Sequence, residues 1–198
     1  MDKIKEYFTK DIVVSLARAL SHSQYFAVKI KNNEISWKNI LLIYFGFLAI
    51  SIFITNSTLE LHVNGKTLNG LKFAFFQTMY IFIFSFVIRS ITFIFKGTLS
   101  YEKTLKIFFI YGGVIYIIDS ILMIFEIHLD KGGNKFIVFL VSCMACVWIL
   151  FSYLAILKVN GINGKIKRTV AVLSLITSSF LLSNVTSVIT PYFIILDN

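Results

Sequence analysis

The chain has 198 residues, of which 57% are hydrophobic, 16% aromatic and only 15% charged, with a mean hydropathy of +0.81. A soluble domain carries about 25% charged residues and about 45–50% apolar ones, so a soluble enzyme is excluded, and 21 Phe and 9 Tyr exclude disorder. The net charge of +9 is explained by membrane orientation, because Lys and Arg collect on the cytoplasmic side of membrane helices; no nucleic-acid partner is implied. Two cysteines inside one apolar run, Cys143 and Cys146, make no disulfide framework.

Residues 1–36 are too polar for the bilayer core and form a cytoplasmic amphipathic segment. Ile4, Phe8, Ile12, Leu16 and Leu20 recur at near-helical spacing, with Lys3, Lys5, Lys10 and Arg18 mostly off that stripe. This predicts an amphipathic helix on the membrane surface, or one packed on the protein's own loops. The first long apolar run begins only near Ile40, which argues against a cleaved signal peptide.

Residues 37–198 form a transmembrane domain of five apolar blocks, at about 39–55, 72–95, 105–127, 135–157 and 169–195. The first is entered at Trp37 and is short against the roughly 20 residues a span needs; the fifth is long enough to tilt or bend. The predicted fold class is all-α: a polytopic bundle of five transmembrane helices preceded by the surface helix.

The connections are short. Asn64-Gly65 and Asn69-Gly70 are turn dipeptides, and Leu61-His62-Val63 before the first suggests a small hairpin. Residues 159–165 read as a turn. There is no room for a soluble catalytic domain.

Lys and Arg number seven in the N-terminal segment, three in the second–third loop and four in the fourth–fifth loop, against four in the opposite loops. This bias predicts, with five spans, a cytoplasmic N-terminus and an exported C-terminus.

A few polar residues lie where they need a reason. Arg89 is in the second span, about 10 Å inside the boundary at 1.5 Å per residue; it either snorkels to the headgroups or faces the bundle and holds an anion or carboxylate. Asp119 is about 20 Å along the third span, too deep for a short side chain to snorkel. It must be protonated, paired or in water, and its candidate partners are Arg89 or Tyr, Ser and Thr hydroxyls. Glu126 lies two turns on, so Asp119 and Glu126 are candidates for a polar groove open to the outside.

In the fifth span Ser179, Ser183 and Ser187 repeat at four, the small-residue pattern that lets helix backbones approach, and Asn184 needs an interhelical hydrogen bond. Asp119, Ser179, Ser183, Asn184 and Ser187 are the candidate partner-binding residues; internal packing is the alternative. Arg89, Asp119 and Glu126 are the intramembrane polar set a transport path would use. Cys143 and Cys146 read as small buried apolar groups, and the three His are too scattered for a metal site. Gly65-Lys66-Thr67 lacks the upstream Gly of a phosphate loop, since Glu60 stands there. No catalytic residue, metal or cofactor is expected.

Two segments carry a family resemblance. Ala19-Leu20-Ser21-His22-Ser23-Gln24-Tyr25-Phe26 resembles the short aromatic stretch before the first span of bacterial relatives of the Yip-domain family, the five-span Rab-interacting membrane proteins. Lys96-Gly97-Thr98-Leu99-Ser100-Tyr101-Glu102-Lys103-Thr104-Leu105 resembles their linker before the third span. The resemblance covers about residues 19–195; the eukaryotic Asp-Leu-Tyr-Gly-Pro signature is absent. It implies no catalysis and no cofactor, but helix-mediated binding to other membrane proteins.

The expected function is non-enzymatic binding of another membrane protein within the bilayer, one form being an immunity protein that neutralises a pore-forming or ionophore toxin. The alternatives are a small-solute or ion transporter and a membrane-trafficking adaptor. The partners are then a membrane protein or membrane-inserting toxin and the lipid bilayer itself, and the same surfaces allow a homo-oligomer.

Overall fold

The computed structural model describes residue 14 and residues 17–62, 69–130 and 135–193. Its helices are α1 (Ser23–Lys31), α2 (Trp37–His62), α3 (Gly70–Ile94), α4 (Tyr101–Asp130), α5 (Lys135–Val159) and α6 (Lys165–Phe193), with a helical turn at 17–21 before α1. There is no strand among the described residues. Four helices are long and apolar enough to cross a membrane, over Trp37–Glu60, Gly70–Ile94, Tyr101–Phe125 and Phe139–Val159. The chain is an all-helical integral membrane protein.

α4 is the central helix. It packs on α1, α2, α3 and α5, while α6 packs on α3 and α5. Within the bundle 61% of the α4 span is buried, against 22–28% for the other three spans. Their outer faces carry Phe53, Phe75, Phe86, Phe93, Phe139 and Met144, all well exposed, as a lipid-facing shell requires. Lipid tails are as apolar as these side chains, so burial alone does not hold such helices together; close packing and interhelical hydrogen bonds must. Both are found between α2 and α4. The Ser51 and Ser120 hydroxyls lie 2.7 Å apart, Ser51 donates to the Tyr116 carbonyl at 3.0 Å, and Thr55 joins Ser120 at 3.0 Å. Gly113 lets Phe47 of α2 lie against the α4 backbone.

The start of α4 is tied to its neighbours at one end of the bundle. Trp37 Nε1 donates to the Glu102 carboxylate at 2.9 Å, which also pairs with Lys106 at 2.9 Å. Lys103 Nζ donates to the Lys31 carbonyl at 2.7 Å, closing the end of α1.

At this same end α1, α3 and α5 stop in one way. A residue with positive φ (Asn33 at 60°, Lys96 at 62°, Gly161 at 80°) follows the helix. The next amide bonds back five residues, from Glu34 to Lys29, Gly97 to Thr92 and Ile162 to Leu157. This is the Schellman closure, which satisfies carbonyls that have no intrahelical partner. Lys96 holds the left-handed conformation that glycine adopts without strain. Lys96→Gly is therefore expected to stabilise the protein by about 1 kcal/mol, read as a raised thermal midpoint in detergent. A lowered midpoint would show that Lys96 contributes more through its side chain than it costs in backbone strain.

Several expectations are corrected. The first apolar block does not stop at 55: α2 runs on to His62, and its polar continuation is accommodated in the helix, with Thr58 buried and its hydroxyl satisfied by the Ile54 carbonyl. Leu61 and His62 are helical, not the arm of a hairpin; residues 63–68 lie outside the described set. α4 extends beyond its apolar block at both ends.

The N-terminal segment also differs. Ile4, Phe8, Ile12 and Leu16 lie outside the described residues, and Leu20, the last of that stripe, is 42% exposed. The buried face is formed by Ala19, Phe26, Ala27 and Ile30, and it packs on α5 and α4 rather than on loops. Cys143 and Cys146 are exposed on the outer face of α5, not buried.

Candidate functional site

A cavity of about 310 Å³ lies among α3, α4, α5 and α6. Helical spacing builds its walls. Gln77, Tyr80 and Phe84 share one face of α3; Gly112, Tyr116 and Asp119 share one face of α4; α5 adds Tyr153 and α6 adds Ser179. The missing side chain at Gly112 keeps this space open, and Ile81 of α3 fills the nearest part of it.

The polar groups are held in place by neighbours. Tyr116 donates its hydroxyl to the Gln77 carbonyl at 3.1 Å. The Tyr153 and Ser179 hydroxyls share a hydrogen bond, and Ser179 also donates to the Leu175 carbonyl at 2.7 Å. Tyr80 is stacked on Phe84 with centroids 5.7 Å apart, and Phe108 meets Phe84 edge-on at 5.2 Å. Around an otherwise apolar wall of Phe and Ile side chains stand one carboxyl group, three phenols, one amide and one serine hydroxyl. Such a cavity can take a small polar or cationic group that arrives on an apolar carrier.

Two residues predicted from different spans, Asp119 and Ser179, therefore line one cavity. Asp119 is exposed on its wall. Arg89 does not reach it. Its guanidinium donates to the Gly97 carbonyl at 3.3 Å and lies 5.1 Å from the Phe93 ring centroid. It extends toward the end of α3, as a snorkelling side chain does. Glu126 sits on α4 two turns beyond Asp119, and Ser183, Asn184 and Ser187 continue α6 beyond Ser179; their side chains lie outside the described set.

Tyr80, Tyr153 and Gln77 were not singled out by the sequence. Tyrosine in an apolar run reads as an interfacial anchor, and nothing local marks a hydroxyl that points inward. Among the described residues no three His, Cys, Asp or Glu side chains are grouped to hold a metal ion.

Fold and site together define a polytopic helical membrane protein with a largely apolar cavity inside its bundle that carries a few polar groups. No protein-family model matches the chain, and comparisons with curated proteins and with solved structures give no match either.

Proposed function

We propose that the chain is a non-enzymatic membrane protein that binds another membrane-embedded polypeptide within the bilayer. In its most concrete form it is an immunity protein that neutralises a pore-forming or ionophore toxin in a bacterial inner membrane. The observation that carries this reading is the convergence of Asp119 and Ser179 on one cavity walled by α6. Polar side chains at span depth are where helices of membrane proteins hydrogen-bond to one another, and a cavity that α6 shares with Asp119 offers a partner helix such a place. The resemblance to bacterial Yip-domain relatives points the same way, and a trafficking adaptor is a variant of the same binding mode. In this reading α6 is the fifth span. The N-terminus is cytoplasmic and the C-terminus exported, following the Lys and Arg bias.

The test is affinity purification of the tagged protein in mild detergent, with mass spectrometry of what accompanies it. A stoichiometric membrane partner is expected. Asn184→Leu and Ser183→Leu should each weaken its recovery roughly tenfold, the scale of one lost interhelical hydrogen bond of about 1–2 kcal/mol, while insertion is unchanged. Full retention of the partner in both variants removes the α6 face from the reading.

A second reading is favoured by the same cavity. With its carboxylate and hydroxyls it could pass an ion or small solute, Asp119 exchanging the proton. Asp119→Asn should then eliminate a pH-dependent flux in proteoliposomes. A wild-type protein with no flux above empty vesicles leaves transport without support.

A further inference from the structure

On the far side of α5 from the cavity's serine and tyrosine, the N-terminal helix and α5 enclose a groove of about 700 Å³. Its walls are chemically unlike. The N-terminal segment contributes His22, Gln24, Tyr25 and Lys29; α5 contributes Trp148 and Phe151. Trp148 Nε1 donates to the Leu20 carbonyl at 3.1 Å, which holds the segment against α5. Trp148 lies roughly 16 Å along the helix from Val159, so the groove descends from the bundle end toward the span's middle. Phe151 between them is 59% exposed.

Two cations converge on Tyr25. The Lys29 ammonium lies 4.9 Å and the Arg18 guanidinium 5.4 Å from its ring centroid, and Arg18 donates to the Tyr25 hydroxyl at 3.1 Å. Lys29 above all, with Arg18, holds the phenol below the ordinary tyrosine range, a sign of positive potential there. The acid lining the groove is Glu34, 3.9 Å from Lys29 with both side chains exposed. An exposed pair of this kind is weak and yields to a better anion.

A soluble anion has no use for the Trp148–Phe151 wall, and a zwitterionic phospholipid, though it carries a phosphate, brings its own cation up against Arg18 and Lys29. A phospholipid with net negative charge uses both, because its phosphate accepts charge-assisted hydrogen bonds and its acyl chain covers the aromatic wall. We propose that this groove binds an anionic phospholipid, its phosphate between Arg18, Lys29 and the Tyr25 hydroxyl and its acyl chain along Trp148 and Phe151. The site is independent of the partner-binding cavity.

The chain has two tryptophans, so Trp37→Phe leaves Trp148 as the sole reporter. The full-length Trp37→Phe protein is placed in phosphatidylcholine vesicles containing brominated phosphatidylglycerol or, at equal mole fraction, brominated phosphatidylcholine. Trp148 should be quenched preferentially by the brominated anionic lipid. Arg18→Gln with Lys29→Gln should reduce that preference by roughly ten- to thirtyfold, the upper figure being the scale of two basic contacts to an anionic headgroup. Lys31→Gln with Lys38→Gln, the same charge change outside the groove, should leave it intact.

Equal quenching by the two lipids overturns the proposal. So does equal loss in the control pair, which would mean general surface attraction. Displacement of the lipid preference by inorganic phosphate, at ionic strength matched with chloride, would identify a free-anion site instead. Should Trp37→Phe fail to insert, phosphatidylglycerol co-purified with the protein retaining both tryptophans, quantified by mass spectrometry, decides on the same terms. It must fall with the groove pair and not with the control pair.

Discussion

Gly113→Ala is expected to destabilise the bundle, whereas Gly112→Ala beside it is expected to leave stability almost unchanged. The two glycines are adjacent on the central helix and face different neighbours. A Cβ at Gly113 would stand 2.9 Å from Phe47 Cδ2 and 3.0 Å from Phe47 Cβ. The Phe47 Cβ is fixed to the α2 backbone and its ring is fully buried, so relief requires α2 to move away from α4. A Cβ at Gly112 would meet Ile81 Cδ1 at 2.8 Å and Cγ1 at 3.0 Å, but both atoms lie beyond Cβ on a side chain that borders the cavity, so rotation about χ1 moves them without moving the α3 backbone. Each substitution gains about 1 kcal/mol of helix propensity. At Gly113 overpacking of about 1–3 kcal/mol opposes that gain. The separation of α2 would also strain the Ser51–Ser120 hydrogen bonds. Gly113→Val, with more volume and a β-branch, should lower the thermal midpoint in detergent by roughly 5–10 °C, taking about 2–4 °C per kcal/mol for a chain of this size. Equal effects of alanine at the two positions would sink the idea that close approach of α2, rather than helix propensity, fixes glycine at 113.

These glycines mark the limit of what could be read beforehand. The apolar blocks are legible because a span is a local property: some twenty residues of low polarity identify it, and α3 and α5 fall close to their predicted blocks. The end of α2 is not legible in this way. Asn56, Ser57, Thr58 and Glu60 look like loop composition, yet the helix runs through them with Asn56, Ser57 and Thr58 at least partly buried, and burial against other helices is not written in local composition. Asp119 announces itself, since a carboxylate at that depth always needs a reason. That it shares a cavity with Ser179 depends on which helices touch, which hydropathy does not encode. The N-terminal segment shows the same limit. Its charges suggest a helix on the membrane surface, but Ala19 and Ala27 on its buried face are fully covered by the bundle, and small residues carry little weight in an amphipathic pattern.

Asn160→Leu is expected to loosen two connections at once. Its dipeptide with Gly161 reads as an ordinary turn, and the glycine does take the left-handed position. The asparagine turns inward and is fully buried. Its Oδ1 accepts from the Leu99 amide at 3.2 Å and its Nδ2 donates to the Ile156 carbonyl at 3.0 Å. Its own carbonyl accepts from the Thr98 amide at 3.2 Å and from the Thr98 hydroxyl at 3.3 Å. The linker between α3 and α4 is thus fastened to the end of α5. Gly97 is part of the fit, because a Cβ there would come within 2.9 Å of Asn160 Oδ1 and 2.8 Å of the Thr92 carbonyl. Leucine cannot accept from Leu99, whose buried amide would be left without a partner at about 1–3 kcal/mol. Asn160→Asp keeps that acceptor but buries a charge and loses the donor, so it should be worse than leucine rather than a rescue. Hydrogen exchange measured by mass spectrometry on residues 97–100 is the direct readout. Protection there should fall by roughly tenfold or more in Asn160→Leu, the equivalent of about 1.4 kcal/mol of local opening. The middle of α4 should keep wild-type protection, because its packing on α2 is made elsewhere. Unchanged exchange at Leu99 would mean that the linker is held by the helix ends alone. Uniform loss along α4 would mean that the clamp governs the whole bundle, not one of its ends.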